Sequence, residues 1–202
     1  MNTIKITEKD FKNDIYCGKL DLTSIEGNLE IEKSGWCRFE SGISANGYIY
    51  AKGDISADGG IYAEGKIYAN GNIYAEGDIY VEGGIYVEGG ISAKGDISAD
   101  GKIYANGGIS AEGGILKALY GITAGLKIFA KTKIECGMRI FAGTAPWSWV
   151  GKEHREIKCG KLVSGEIAYG DLIETGLPNE EKVGKKVKIK LSGGEIVEGE
   201  IV

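Results

Sequence analysis

Thirteen isoleucines stand six residues apart without a break, from Ile43 through Ile49 and Ile55 to Ile115. Two residues after each comes Ala, or Val at Val81 and Val87, until Lys117 ends the pattern. Four residues after each comes Gly, from Gly47 to Gly113. The places between hold Tyr or Ser, then Asp, Glu, Lys or Asn. Apolar-polar alternation of this kind belongs to strands. An α-helix would spread a six-residue repeat around its whole circumference, and a Gly in every hexad would cost it about 1 kcal/mol each. The chain holds 34 Gly and only 2 Pro. Glycines recurring every six residues exclude collagen, which needs one in three. Their strict interleaving with Ile, Tyr and Ala argues against disorder.

So short a period predicts a parallel β-solenoid, in which each coil stacks on the last. Ile and Ala point inward along a short strand, Tyr or Ser and the charged residue point out, and Gly occupies the corner. There a Cβ would clash, or a positive φ is needed. The beat extends beyond the perfect run: Ile25, Ile31 and Cys37 lead into Ile43, and Ile122, Ile128, Ile134 and Ile140 resume it after one extra residue. Further on, Ile157, Leu162, Ile167 and Leu172 recur at intervals of five and read as shortened sides. The predicted organisation is an N-terminal cap over 1–24, a repeat solenoid over 25–142 and an extruded Trp-rich loop over 143–156. Shortened coils over 157–175 and a C-terminal β-hairpin over 176–202 complete it. The hairpin reading rests on two alternating runs around Ser192-Gly193-Gly194. Its lysines Lys186, Lys188 and Lys190 read as edge protection or a solvated face ahead of a nucleic-acid patch.

The array, with Ile61 followed by Gly65 and Ile79 by Gly83, resembles the hexapeptide-repeat family of left-handed parallel β-helices. That resemblance implies three hexads per triangular coil, although Gly stands where the family uses Ser, Thr, Ala or Val. The pattern Gly-x-Ile-x-Ala-x followed by GLKIFAKTKIECGMRIFAGTAPW is also similar to Gly-rich repeat proteins of phage and prophage.

Net charge is −5, unevenly spread: residues 42–115 hold four Lys against ten Asp or Glu, a net of −6, while residues 116–202 are net +3. The repetitive body should repel nucleic acid and membrane surfaces and attract a basic protein. No stretch approaches 18 apolar residues, and the N-terminus lacks a secretory signal's apolar run, so a cytoplasmic location is expected. Four scattered cysteines without a C-x-x-C pair read as reduced thiols, with no structural zinc.

With eighteen residues per coil, Tyr50, Tyr68, Tyr86 and Tyr104 form one column, whereas a twelve-residue coil gives no pure column. The tyrosines read either as a stacking platform or contact face, or simply as side chains that suit an exposed strand. Asn46, Glu64, Glu82 and Asp100 form an acidic column bordered by Asp78 and Asp96. It reads as a mimic of a nucleic-acid backbone or as ordinary solubilising charge. Nothing singles out one desolvated carboxylate for acid-base work, and the Gly-Gly-x-Gly-x-Asp spacing for calcium is missing. Residues 42–115 contain no Thr, against an ice-binding face.

The single His, His154, lies in TAPWSWVGKEHRE beside Trp147, Trp149 and Arg155. Hexapeptide-repeat acyltransferases use a His base, but a His in a connecting loop is ordinary. The tryptophans and Arg155 suit an interface anchor or local packing. The expected function is a non-enzymatic, cofactor-free acidic scaffold that binds protein, in its sharpest form a phage-encoded inhibitor of a basic, nucleic-acid-binding or defence protein of the host. The alternatives are a self-assembling structural protein of a virion or filament, and an acyltransferase.

Overall fold

The computed structural model describes residues 1–145 and 151–177, with the backbone of Lys186–Lys190 and Ile196–Glu200. Each hexad folds as a three-residue strand, such as Ile43–Ala45, Ile49–Ala51 and Ile55–Ala57, ended by a glycine corner. Ile61 and Ala63 are buried while Tyr62 between them is 42% exposed. Each strand pairs in parallel with the third strand on: Ile43 with Ile61, Ile61 with Ile79, Ile79 with Ile97. A coil is therefore eighteen residues in three sides, and the protein is a parallel β-solenoid. No α-helix occurs among the described residues; two 3-10 turns lie at Glu8–Asp10 and Lys152–Arg155.

Three faces follow. The first stacks Ile43–Ala45, Ile61–Ala63, Ile79–Val81 and Ile97–Ala99. The second stacks Ile49–Ala51, Ile67–Ala69, Ile85–Val87 and Ile103–Ala105. The third stacks Ile55–Ala57, Ile73–Ala75, Ile91–Ala93 and Ile109–Ala111. Their isoleucines fill the lumen in continuous columns, each fully buried side chain contributing roughly 1.5–3 kcal/mol. Backbone groups are satisfied between coils, as in Ile49 N–H to the Lys66 carbonyl at 2.9 Å and Glu64 N–H to the Ala45 carbonyl at 3.1 Å.

The corner glycines of the array are there for close approach and not for a positive φ, which among the described glycines occurs at Gly27, Gly35, Gly143, Gly151, Gly165, Gly170 and Gly176. A Cβ on Gly83 would sit 2.5 Å from the Gly65 carbonyl oxygen in the preceding coil.

Register corrects the sequence reading at the first coil. Leu29 pairs with Ile49 and Ile31 with Ala51, while Ile25 bridges Ala45. Ile25 and Ile31 thus take the place of Ala, and Leu29 takes the place of Ile. Both residues of the Leu29/Ile31 alternation face inward, so apolarity alone does not fix which leads. Cys37 keeps its expected place, directly before Arg38, which pairs with Ser56. Ahead of this coil, Thr3–Ile6 stacks on Asn28–Ile31 and Ile15 stands beside Arg38. A tight hairpin joins Phe11–Lys12 to Ile15–Tyr16 through Asn13 and Asp14, both at positive φ. The rings of Phe11, Tyr16 and Phe39 meet at 5.6–5.8 Å over this end of the core.

Past the perfect run, Ile97 pairs with Leu116, so Ile115 is the extra residue, half-buried at the corner. Ile122, Ile128, Ile134 and Ile140 then take the inward place. After the 143–156 insertion Ile157 pairs with Ile128, Leu162 with Ile134 and Ile167 with Ile140, through several bulges. Asp171–Glu174 stacks on Glu156–Cys159, so the five-residue sides are real. Lys186–Lys190 and Ile196–Glu200 pair antiparallel in a separate two-stranded sheet, with Lys186 opposite Glu200 and Ile189 opposite Val197. The turn at Ser192-Gly193-Gly194 lies outside the described residues.

Gly83→Ala should destabilise the protein by about 1–3 kcal/mol in urea unfolding, because the intruding Cβ meets backbone that cannot rotate away. Thiols give a second check. Cys37, Cys136 and Cys159 are buried and Cys17 exposed. Burial pushes the Cys37 and Cys159 thiols up to about 11 and raises Cys136 too. A disulfide reagent at pH 8 should therefore titrate one fast thiol in the native protein and four after denaturation.

Candidate functional site

The eighteen-residue coil aligns the predicted tyrosine column: Tyr50, Tyr68, Tyr86 and Tyr104 are register neighbours on the second face. Tyr68 and Tyr86 stack with centroids 5.2 Å apart and planes 15° from parallel, and the Lys66 ammonium lies 5.9 Å from the Tyr86 ring. Glu30 precedes the column and Thr123 follows it.

Asn46, Glu64, Glu82 and Asp100 each follow the last residue of a first-face strand, so they stack at the corner between the first and second faces. The chain turns there from Glu64 through Gly65 and Lys66 to Tyr68. Glu64, Glu82, Asn46, Tyr48, Lys66 and Tyr68 line one shallow depression of about 580 Å³. The fold thus brings the acidic and tyrosine columns to a common edge.

Most other array carboxylates have different work, Glu88 and Glu112 excepted, which are exposed and unpaired among the described residues. Asp54 Oδ1 accepts the Asn72 backbone N–H at 2.6 Å, and Asn72 Oδ1 accepts that of Gly90 at 2.8 Å. Asp78 Oδ1 accepts the Asp96 N–H at 2.8 Å, and Asp96 Oδ1 the Ile115 N–H at 2.7 Å. Each stands directly before an inward Ile and caps a corner donor of the next coil, which would otherwise lack a protein acceptor. Asp78 and Asp96 are therefore structural acceptors and not a border of the acidic column. The signal was available in the recurring Asp-Ile and Asn-Ile dipeptides at 54, 72, 78 and 96. Elsewhere Arg38 holds Asp58 through two bonds of 3.2 and 2.9 Å, and Lys94 holds Glu76. Glu64, Glu82 and Asp100 are exposed, and among the described residues no side chain pairs with them.

The insertion leaves the second face after Phe141 and returns to the third at Ile157, at the corner away from the acidic column. His154 is half-buried there, its Nε2 3.8 Å from Glu153 Oε1. The Arg155 Nε lies 2.7 Å from Asp171 Oδ2 in the following coil, which raises the guanidinium pKa further and ties Arg155 to the rod. The structure does not bring these two together with Glu64, Glu82 or Asp100. Trp147 and Trp149 lie outside the described residues. Among the described residues no three His, Cys, Asp or Glu side chains group as metal ligands, and no helix is long and apolar enough to cross a membrane.

Asp96→Ala should cost about 1–2 kcal/mol in denaturant, since it strands a corner N–H. Asp96→Asn should be nearly neutral, because an amide oxygen does the same work at Asn72. No family model matches the chain, and neither a curated protein nor a solved structure matches it.

Proposed function

We propose that the protein is a non-enzymatic scaffold that binds a basic protein along the edge formed by Glu64, Glu82 and Asp100. One observation carries this reading: three exposed carboxylates without pairing side chains stack one coil apart, beside a tyrosine ladder, while the other unpaired acids of the array, Glu88 and Glu112, stand singly on the other two faces. A coil rise of about 4.8 Å repeats the charge on a scale that a groove built for phosphates, spaced at roughly 3.4 Å per duplex strand, can accept. The edge is rigid, so a partner loses little binding energy to ordering it. Like charges stacked this closely repel each other, and cations from a partner relieve that repulsion.

The same proposal puts the chain in the left-handed hexapeptide-repeat class, supported by six-residue sides and eighteen-residue coils. It assigns the phage-type role suggested by sequence resemblance: occupying the basic groove of a nucleic-acid-binding or defence protein in the host cytoplasm.

The test is capture of partners from nuclease-treated host lysate by the wild type and by Glu64→Gln/Glu82→Gln/Asp100→Asn. The wild type should retain a basic, nucleic-acid-binding protein that salt releases, and the triple variant should lose it. Equal retention by both would sink the reading. Relief of repulsion should also raise the variant's Tm by about 2 °C at low salt, a gain that vanishes at high salt.

A second reading, end-to-end self-association, draws on the last coil. Asp171–Glu174 covers only one side of it, no described strand stacks on residues 161–169, and Val163, Tyr169, Leu172 and Ile173 are exposed there. Sedimentation would show mass rising with concentration if this reading holds, and a constant monomer mass would end it.

A further inference from the structure

The third face has two rungs missing from its outward column. In register order that column reads Tyr74, Ser92, Ser110, Phe129 and Lys158. Beside it, directly before each inward Ile, runs a second column of Asn72, Gly90, Gly108 and Lys127. Two successive coils are thus small at both outward places, and bulky coils stand on either side. Three coil rises of about 4.8 Å put Tyr74 and Phe129 roughly 14 Å apart along the axis. The result is a groove of about 650 Å³, with Trp36 contributing to its wall. That volume falls within the range of small-molecule sites, about 300–1,000 Å³.

The chemistry of the lining narrows the ligand. On the second face, Tyr68 and Tyr86 show that aromatic rungs one coil apart lie face to face, at 5.2 Å. Tyr74 and Phe129 frame the two empty places, so a flat ring system suits the gap. The floor offers the Ser92 and Ser110 hydroxyls, the Gly108 N–H and one hydrogen of Asn72 Nδ2, the rest of the Asn72 amide being committed: Oδ1 to the Gly90 N–H and the other Nδ2 hydrogen to Asp54. Such a sparse polar set suits a sugar, with a hydroxyl on nearly every carbon, badly. At the C-terminal end of the groove stand Lys127 and Lys158, with Glu156 beside them. Neither lysine is in an ion pair among the described residues, so this end is locally positive in a chain whose array is acidic.

We propose that the third-face groove binds a small planar aromatic anion. Its ring system lies in the gap left by the missing rungs between Tyr74 and Phe129, and its acidic group faces Lys127 and Lys158. The proposal is independent of the acidic edge, which lies at the corner between the other two faces.

The repeat supplies its own control. Tyr74 and Phe129 already occupy the corresponding place in the coils on either side, so Ser92→Tyr/Ser110→Tyr fills the groove with a residue that the scaffold accepts; unchanged Tm and circular dichroism verify this. The full chain is titrated calorimetrically with adenosine 5′-monophosphate and with anilinonaphthalene sulfonate, and in parallel with their neutral counterparts adenosine and phenylnaphthylamine. At least one anion should bind at a single site, more tightly than its neutral counterpart, and the filled variant should bind it at least about tenfold more weakly. Lys127→Gln/Lys158→Gln should weaken that anion about tenfold and leave its neutral counterpart unchanged. Failure of both anions to bind, binding undiminished in the filled variant, or indifference to the lysines would each overturn the proposal.

Discussion

Everything in this molecule depends on how closely one coil can lie on the next. The parallel ladder needs strands about 4.8 Å apart on all three sides at once, so the corners must close to the same distance as the sides. Corners are where side chains would hold the coils apart. Glycine removes that obstacle, and the approach is close enough that even a methyl at Gly53 would stand 2.1 Å from the Gly35 carbonyl oxygen. With the corners shut, each Ile of the array lands on the Ile of the previous coil and each Ala or Val on its counterpart, so the lumen is filled by columns stacked on themselves. Packing, hydrogen bonding and shape are thus a single constraint met by one short pattern.

The stacking also divides the surface labour. Inward places are uniform because the core is uniform, while outward places point away from the lumen and vary from coil to coil. Aspartate and asparagine before the inward Ile have been drawn into the framework as acceptors for corner N–H groups. Glutamate and aspartate after the strand, at 64, 82 and 100, have not, and they stand out from the rod. Two chemically similar carboxylates separated by a few positions in one hexad therefore have different roles.

Much of this was legible in the sequence, because one Ile per side and one Gly per corner leave a single way to alternate. Three hexads per coil came from the resemblance to hexapeptide-repeat proteins, and the tyrosine column was consistent with it without fixing it. What escaped notice did so for physical reasons. At Leu29 and Ile31, two apolar residues in alternation satisfy the core equally, and the register belongs to pairing with Ile49 and Ala51. The acceptor role of Asp78 and Asp96 depends on an N–H eighteen or nineteen residues away, visible only after the coils are stacked. The groove on the third face joins Trp36 from the first coil to Phe129 and Lys158 beyond the perfect run, and no local pattern links them. Of the candidate binding residues, Glu64, Glu82 and Tyr68 line one depression, a meeting that six-residue spacing alone did not show, while His154 and Arg155 occupy a different corner.

The constant eighteen-residue offset has a consequence for how the chain finds its fold. Parallel sheets are ordinarily slow to form, since their strands are distant in sequence and the loops between them are costly to close. Here every strand of the array meets partners eighteen residues away, about 0.09 of the 202-residue chain, a locality in the range of helical bundles. Each added coil closes a loop of the same length against an edge already formed, so the entropy of each step does not grow with the rod. Growth of this kind resembles the propagation of a helix more than the assembly of a sheet. Its one long step is the 29-residue return from Ile128 to Ile157, where the 143–156 insertion must be spanned before the last full coil can close.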